Sequence, residues 1–226
     1  MRQKSNSNGE GFYLAPTHPE VDAHLQNVIT ELLQNYSLDG IHFDYIRYHD
    51  LEWGLNPVGL KLFLNYNNSM SGLSSRQVMG KQTFLGFKQS AITGFISKAS
   101  TRIKAYQPDC IISVAVKPNL VNARNTFGQE WDVWLAAGYI DWAVPMNYSM
   151  DLRTFNNNIQ IIKDNLPDKY MDRIVMGIGT YNQNPRSAGK KIYHTGRNDF
   201  GGISIFSYTV FQNKPTYASK LFKYLK

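Results

Sequence analysis

The sequence predicts an α/β protein of the (β/α)8 TIM-barrel type, N-terminally truncated to about five or six βα units. Two observations lead to this prediction. From Ile111 onward, short apolar strands recur about every 30 residues, each followed by a segment of helical periodicity. Each strand also ends in polar and aromatic residues, as does the catalytic end of a barrel. A dinucleotide-binding sheet would instead show a glycine-rich turn after its first strand.

The most informative strand lies within Leu38–Tyr48. Successive side chains of a strand point to opposite faces, so Gly40, His42 and Asp44 share one face, and apolar residues share the other. An apolar outer face and a polar inner face are typical of one wall of a parallel barrel. Asp44 then stands at the carboxyl end of the strand, where barrel enzymes place their catalytic groups.

A helix is predicted before this strand. Thr17-His-Pro-Glu20 has the form of a capping box, with the Thr17 hydroxyl as the cap and Pro19 in the first turn. An apolar stripe of helical period follows, formed by Val21, Leu25, Val28, Ile29, Leu32 and Leu33. A weak strand is predicted ahead of this helix, at Phe12–Leu14.

The rest of the chain alternates between predicted helices and strands. Residues 48–80 form a long loop with a short helix near Val58–Tyr66, and a long loop at the carboxyl end of a strand is usually functional. The further predicted strands are Cys110–Val116, Asp141–Met146, Arg173–Gly179 and Gly202–Phe206. The further predicted helices are Thr83–Tyr106, Gln129–Ala137, Arg153–Asn165, Ser187–Tyr193 and Tyr217–Tyr224.

These strands are too few for a closed barrel, which needs eight. The sequence therefore predicts the later part of a barrel whose front is removed. Because open strand edges must be covered or paired, we expect a second protomer or a missing N-terminal segment at the open edge. Residues 11–226 are assigned to one domain. Residues 1–10, which lack the apolar core of a signal peptide, are expected to be disordered or foreign to it.

Composition narrows the classes of function. The formal net charge is +7, with the densest basic cluster at Arg186–Lys191. A solvated surface is the favoured interpretation, and attraction to an acidic polymer is the alternative. No nucleic-acid-binding motif is present, so no nucleic-acid partner is expected. The single cysteine, Cys110, excludes an intrachain disulfide, and no apolar run approaches the roughly 20 residues of a membrane span.

Four motifs follow one another along the chain: Leu14–Val21, Asp39–Tyr48, Gln129–Trp134 and Asp141–Tyr148. Together they resemble the glycosyl hydrolase-like family 10 of bacterial envelope proteins. The resemblance implies a TIM-type barrel that acts on bacterial polysaccharide, such as cell-wall glycan. It also implies a location in the cell envelope or outside the cell, and the absence of strands one to three from this chain.

The strand within Leu38–Tyr48 also has a more distant resemblance to the family 18 chitinases. Asp39 and Asp44 match acids of their strand-four motif, but Ile46 stands where their catalytic Glu would be. Tyr148 is similar to a tyrosine of their sixth strand, where Ser149 replaces the following Asp. The missing Glu argues against direct transfer of the substrate-assisted mechanism.

Glycoside hydrolysis commonly uses two carboxyl groups. Asp44 is the best candidate acid/base, with a salt bridge to Arg47 as the structural alternative. Glu130 and Asp151 are candidate second carboxylates, although Glu130 opens a predicted helix, where an acid favours the helix dipole anyway. The second acid can also lie in the missing front of the barrel. Asp39 precedes the strand, where we expect a structural hydrogen bond.

Polar and aromatic residues near the strand ends are candidate substrate contacts. Aromatic faces can stack on sugar rings, asparagines can bond hydroxyls, and cations can hold a carboxylate or acetamido group. The candidates are His42, Arg47, Tyr48, Lys117, Asn119, Trp131, Asn147, Tyr148, Tyr181, Asn182 and Tyr208. Of these, His42 is expected to bond Asp44 or a neighbouring strand and to tune the pKa of Asp44. Trp134 and Trp142 are expected in the core.

No cofactor is expected, and no metal site, because no second His or Cys has ligand spacing. Two functions remain open: a glycoside hydrolase with Asp44 as acid/base, and a non-catalytic carbohydrate-binding remnant of a glycosidase barrel. The family resemblance favours the hydrolase, and the lack of an evident second acid favours the binding remnant.

Overall fold

The computed structural model describes residues 2–3, 13–50, 54–67, 70 and 72–223. The strands are β1 (Arg2–Gln3), β2 (Tyr13–Leu14), β3 (Gly40–Phe43), β4 (Ile111–Val116), β5 (Trp142–Pro145), β6 (Val175–Gly179) and β7 (Gly202–Phe206). The α-helices are α1 (Pro19–Asn35), α2 (Pro57–Tyr66), α3 (Ser75–Met79), α4 (Gln82–Tyr106), α5 (Leu120–Phe127), α6 (Trp131–Ala136), α7 (Leu152–Asn165), α8 (Pro185–Gly196), α9 (Thr209–Asn213) and α10 (Pro215–Phe222). A 3₁₀ helix spans Asp168–Arg173.

Five parallel strands stand side by side in chain order, from β3 to β7. Backbone ladders join β3 to β4, β4 to β5, and β6 to β7. Two parallel bridges, Ala143 with Ile174 and Met146 with Gly177, join β5 to β6. The mixed α/β class with parallel strands is therefore confirmed. The strands of the described ranges do not close into a barrel, so barrel closure stays a prediction.

The two faces of this sheet differ in burial. Alternate residues on the outer face, such as Ile112, Val114 and Ile178, are buried in a core shared with the helices. On the inner face, His42 is exposed and Trp142 is 42% exposed. The helices thus cover one side of the sheet and leave a row of inner side chains accessible. No helix of the described ranges is long and apolar enough to cross a membrane.

The start of α1 differs from the predicted capping box. His18 is the N-cap, and its Nδ1 accepts a hydrogen bond from the Glu20 amide at 3.3 Å. The Thr17 hydroxyl instead donates to the Gly54 carbonyl at 3.1 Å and accepts from Asn56 Nδ2 at 2.6 Å. Asn56 is the N-cap of α2, so Thr17 ties the start of one helix to the start of another.

The helix predicted at Gln129–Ala137 begins at Trp131. Gln129 lies before it, and its side chain bonds the backbone of other segments. Gln129 is fully buried, and its Oε1 accepts from the Lys117 amide at 2.9 Å. Its Nε2 donates to the carbonyls of Ile46 and Ala115, each at 3.2 Å. Gln129 therefore joins the end of β4 to the turn after β3, at Ile46.

Other parts of the structure also differ from the predicted elements, and α3 lies within the predicted loop of residues 48–80. Helices α5 and α9 were not predicted, because neither has enough apolar residues for a helical stripe. Residues 2–3 pair antiparallel with Tyr13–Leu14, within the segment 1–10 that was expected to be disordered or foreign to the domain. The other residues of 1–10, and Phe12 of the predicted weak strand, lie outside the described residues.

Candidate functional site

The inner faces of all five parallel strands line one groove of about 600 Å³, here called the inner groove. Strand β3 and the turn after it supply His42, Asp44 and Arg47, and the segments after β5 and β6 supply Tyr148 and Tyr181. These five residues were predicted from the sequence, and the fold brings them together. Because parallel strands align their carboxyl ends, residues far apart in the chain meet at one edge of the sheet.

Asp44 lies exposed at the carboxyl end of β3. Its Oδ1 accepts a hydrogen bond from the Tyr45 amide at 2.7 Å, and Tyr45 has a φ of 54°, in the left-handed region. The Arg47 guanidinium lies over two rings, 5.0 Å from the centre of Tyr45 and 5.9 Å from that of Phe127. None of the described ion pairs joins Asp44 to Arg47, so the carboxylate faces the groove rather than a cation.

His42 stands one pleat below Asp44 and is held by the neighbouring strand. Its Nδ1 lies 2.8 Å from Ser113 Oγ, and the two residues are register partners in the β3–β4 ladder. Burial lowers the pKa of His42, and the Asp44 carboxylate partly opposes that shift. The imidazole is therefore neutral at neutral pH, and its ring position is set by Ser113.

Replacing Asp44 by Asn is expected to lower the pKa of His42 further. The carboxylate favours the imidazolium, so its removal leaves burial unopposed. NMR titration of the imidazole carbon-bound protons measures this shift. The matched variant Asp39→Asn, which changes an acid outside the groove, should leave the titration where it is. An unchanged His42 titration in Asp44→Asn would show that the two groups are not coupled.

Three rings form an aromatic wall at the other side of the groove: Tyr148, Tyr181 and Phe206. Tyr148 stacks on Phe206 with ring centres 5.4 Å apart and planes at 12°. Tyr181 meets both rings edge-on, at 6.2 Å from Tyr148 and 5.8 Å from Phe206. Burial raises the pKa of Tyr148 to about 12, and the negative charge of Asp44 adds to this shift. The Tyr148 hydroxyl therefore keeps its proton and can donate a hydrogen bond.

Glycines in β6 allow the aromatic wall to pack closely on the sheet. A Cβ on Gly177 would lie 2.7 Å from the Pro145 carbonyl oxygen, and one on Gly179 would lie 3.2 Å from Tyr148 Cβ. Asn182 then fixes the loop, because its Nδ2 donates to the Tyr148 carbonyl at 2.9 Å. Asn182 was predicted to bind substrate, and the structure gives its amide group a positioning contact instead.

Three predicted contact residues are buried away from the groove. Trp131 is fully buried in the core. Asn147 is also fully buried; it donates to the Phe155 carbonyl at 3.0 Å and accepts from Asn158 at 2.9 Å. Tyr48 is 3% exposed, and its hydroxyl donates to the Lys88 carbonyl at 3.1 Å. Stacking on a sugar or bonding a hydroxyl needs an accessible face, so these three assignments are corrected to structural roles.

Three further predicted contacts do not line the inner groove. Asn119 is the N-cap of α5. The Lys117 ammonium lies 4.4 Å from the ring centre of Phe127. Tyr208 is 70% exposed and meets Phe211 edge-on at 6.2 Å. All three follow strand ends, as predicted from the sequence, but none of them lines the groove.

The two candidate second acids also have other partners. Glu130 accepts a hydrogen bond from the Thr93 hydroxyl at 3.0 Å. Asp151 is the N-cap of α7 and accepts from the Thr154 amide at 2.8 Å and from its hydroxyl at 2.7 Å. These two hydrogen bonds lower the pKa of Asp151. Among the described residues that line the groove, Asp44 is the one carboxylate.

Two aromatic residues of the groove, Trp142 and Phe206, were not predicted from the sequence, and neither was Ser113, which bonds His42. Trp142 was expected in the core, but the structure corrects this, because Trp142 lies on the inner face and lines the groove. The alternation of Trp142 and Val144 around the buried Ala143 was the signal that could have placed it. In the described part of the chain, no group of three or more His, Cys, Asp or Glu could hold a metal ion.

A second, more apolar cavity of about 370 Å³ lies behind β3, between α1 and α4. Tyr45 and Arg47 line both cavities, and Leu25 and Phe95 close the far side. Its one carboxylate, Asp22, is paired with the Lys98 ammonium at 2.6 Å, so the inner groove is the better candidate for proton transfer.

Among known families, the family model described as glycosyl hydrolase-like 10 matches residues 1–193. No curated protein matches the chain.

Proposed function

Since the chain belongs to the glycosyl hydrolase-like 10 family, we propose that the inner groove binds a bacterial polysaccharide, such as cell-wall glycan, and hydrolyses its glycosidic bonds. One observation carries this proposal. The exposed Asp44 carboxylate stands at the carboxyl end of β3 and faces a groove of about 600 Å³ whose other side is aromatic. A carboxyl group in this position can exchange a proton with a sugar that stacks on the rings opposite it.

Asp44 is the proposed acid/base. As the acid, its carboxyl group donates a proton to the glycosidic oxygen, which leaves with the departing sugar. As the base, the carboxylate accepts a proton from the water that attacks the anomeric carbon. His42 Nδ1 lies 2.8 Å from Ser113 Oγ. Because its imidazole is neutral, His42 places no positive charge next to Asp44. The protonated Tyr148 hydroxyl donates a hydrogen bond to the sugar.

The aromatic wall supplies the proposed binding surface. Tyr181 is 52% exposed and Phe206 is 52% exposed, so both offer ring area to a sugar face. Trp142 offers a further ring on the inner face of β5. Arg47 is proposed to bind an acidic or acetamido substituent at the β3 side of the groove.

The proposed context of this groove is a TIM-type barrel in a cell-envelope or secreted protein. The parallel order from β3 to β7, with helices on the outer face, matches consecutive βα units of such a barrel. Strands β3 and β7 are the first and last of the parallel sheet. We propose that a second protomer or a further segment of chain pairs with their edges and completes the barrel.

A second candidate function is carbohydrate binding without catalysis. It is favoured by the single carboxylate, Asp44, among the described residues of the groove, because two carboxyl groups are the usual requirement. Incubation with purified bacterial cell-wall polysaccharide separates the two functions. The hydrolase produces new reducing ends over time. Retained polysaccharide binding without new reducing ends would support the binding protein and reject the hydrolase.

Replacing Tyr181 by Ala is expected to weaken oligosaccharide binding about fivefold to tenfold, the effect of losing one stacking ring. Isothermal titration calorimetry measures this change. The matched control is Tyr208→Ala, because Tyr208 is also exposed but does not line the groove. If both variants bind like the unmodified protein, the aromatic wall is not the binding surface.

A further inference from the structure

Helix α8 presents a basic and aromatic stripe to solvent. Arg186, Lys190, Tyr193 and Arg197 follow one another at helical spacing, so they lie on one face, and all four are exposed. This set is called the α8 stripe. Over these residues a helix rises about 16 Å, which is long enough to contact several units of a polymer.

The basic cluster at Arg186–Lys191 has residues both on this surface and in the interior of the protein. Lys191 is 1% exposed, and its ammonium donates to the carbonyls of Ser149 and Met150 and to the Gln183 side chain. Arg186 and Lys190 point outward instead. Lys191 is thus part of the scaffold that holds the loops after β5 and β6, and the remaining charge is concentrated in the stripe.

The charge of the α8 stripe is not neutralised within the described part of the chain. Helix α8 contains no Asp or Glu, and none of the described ion pairs includes a residue of the stripe. The acid next along the chain is Asp199, two residues after Arg197. A contiguous positive surface of this kind attracts a polyanion and loses that attraction as salt rises.

Tyr193 and Arg197 form an ordered pair at one end of the stripe. Arg197 Nη1 donates to the Tyr193 hydroxyl at 3.1 Å, and the guanidinium carbon lies 5.6 Å from the ring centre. The ring is nevertheless 56% exposed. A guanidinium fork suits a carboxylate, and an aromatic face suits a sugar ring. A uronic-acid-type sugar combines both features in one unit.

The stripe is also close along the chain to the inner groove. Helix α8 directly follows the loop of Tyr181 and Asn182, and Arg186 lies at the helix end nearest that loop. A glycan chain that leaves the groove past Tyr181 can therefore continue along α8. A nucleic acid would meet the same charge, but the continuity with the groove favours a polysaccharide.

We propose that the α8 stripe is a second binding surface, which takes a polysaccharide that carries carboxylate groups. That the polymer is a glycan rests on the proposed function of the groove. That the α8 stripe binds an acidic polymer rests on the exposed residues of the stripe alone. The stripe then holds acidic polymer next to the groove and raises its local concentration there.

Fluorescence anisotropy of the full chain with labelled polygalacturonate oligomers tests this surface. The double variant Lys190→Gln/Arg197→Gln is expected to bind about tenfold more weakly at low salt and to show a flatter salt dependence. The control Lys61→Gln/Lys81→Gln removes the same charge from α2 and from the residue before α4, and should bind like the unmodified protein. Tyr193→Ala should weaken binding, whereas Tyr66→Ala, at 84% exposure, should not.

Three outcomes would overturn the inference. The first is equal weakening in both double variants, which would mean that bulk charge alone acts. The second is no binding of polygalacturonate by the unmodified protein. The third is tighter binding of oligothymidylate than of polygalacturonate, which would point to nucleic acid. Hydrolysis in the groove is measured separately, as the release of reducing ends, so loss of hydrolysis and loss of the α8 surface are separate results.

Discussion

Asp44→Asn should lower the turnover of a glycan substrate by about 10²- to 10⁴-fold, the usual contribution of a positioned acid/base, while glycan binding is retained. Asparagine keeps the size of the side chain, and its Oδ1 can still accept the hydrogen bond from the Tyr45 amide. An amide cannot transfer the proton at neutral pH. Steady-state rates of reducing-end release measure the loss, and titration calorimetry measures the binding.

The matched control for this prediction is Asp39→Asn. Asp39 is an exposed acid directly before β3, and its backbone carbonyl accepts from the Ile111 amide at 2.9 Å. The side chain is not needed for that ladder contact, so turnover should stay at the level of the unmodified protein. Full turnover in Asp44→Asn would remove Asp44 from the chemistry.

Trp134→Ala should lower the free energy of unfolding by about 3–5 kcal/mol, the usual cost of removing a buried indole. Trp134 is fully buried, and its Nε1 donates to the Thr93 hydroxyl at 2.8 Å. That hydroxyl in turn donates to Glu130 at 3.0 Å. The substitution leaves a cavity between α4 and α6 and breaks this chain of hydrogen bonds. Urea denaturation followed by circular dichroism measures the change.

Trp142→Ala is the matched control, because it removes a tryptophan from the exposed groove instead of from the core. Because Trp142 is 42% exposed in the groove, its removal should change the free energy of unfolding by about 1 kcal/mol or less. Glycan binding should weaken instead. Equal destabilisation by both substitutions would mean that Trp142 belongs to the core, as the sequence alone suggested.

The strands could be predicted because their apolar runs are short and regularly spaced. Strand β7 spans Gly202–Phe206, as predicted, and the other parallel strands lie within their predicted limits. The alternation of Gly40, His42 and Asp44 also placed the acid on the inner face. Alternation is a local property of the backbone, so it can be read without knowledge of the neighbouring elements.

Side chains just beyond the strand ends could not be predicted in this way. Tyr148 reaches the groove, whereas the adjacent Asn147 is fully buried and bonds the Phe155 carbonyl. Trp131 is buried because α6 packs it into the core. After a strand ends, the turn geometry and the partners on other helices decide where a side chain points. Those partners are distant in sequence, so chain position alone does not identify the contact.

Mass spectrometry of a defined cell-wall oligosaccharide incubated with the protein tests the central claim most directly. The proposed hydrolase should give shorter products whose masses add up to the substrate plus one water, and no such products with Asp44→Asn. Products whose masses add up to the substrate alone would indicate elimination instead of hydrolysis. An intact oligosaccharide that nevertheless binds the inner groove would contradict the hydrolase and leave a carbohydrate-binding protein.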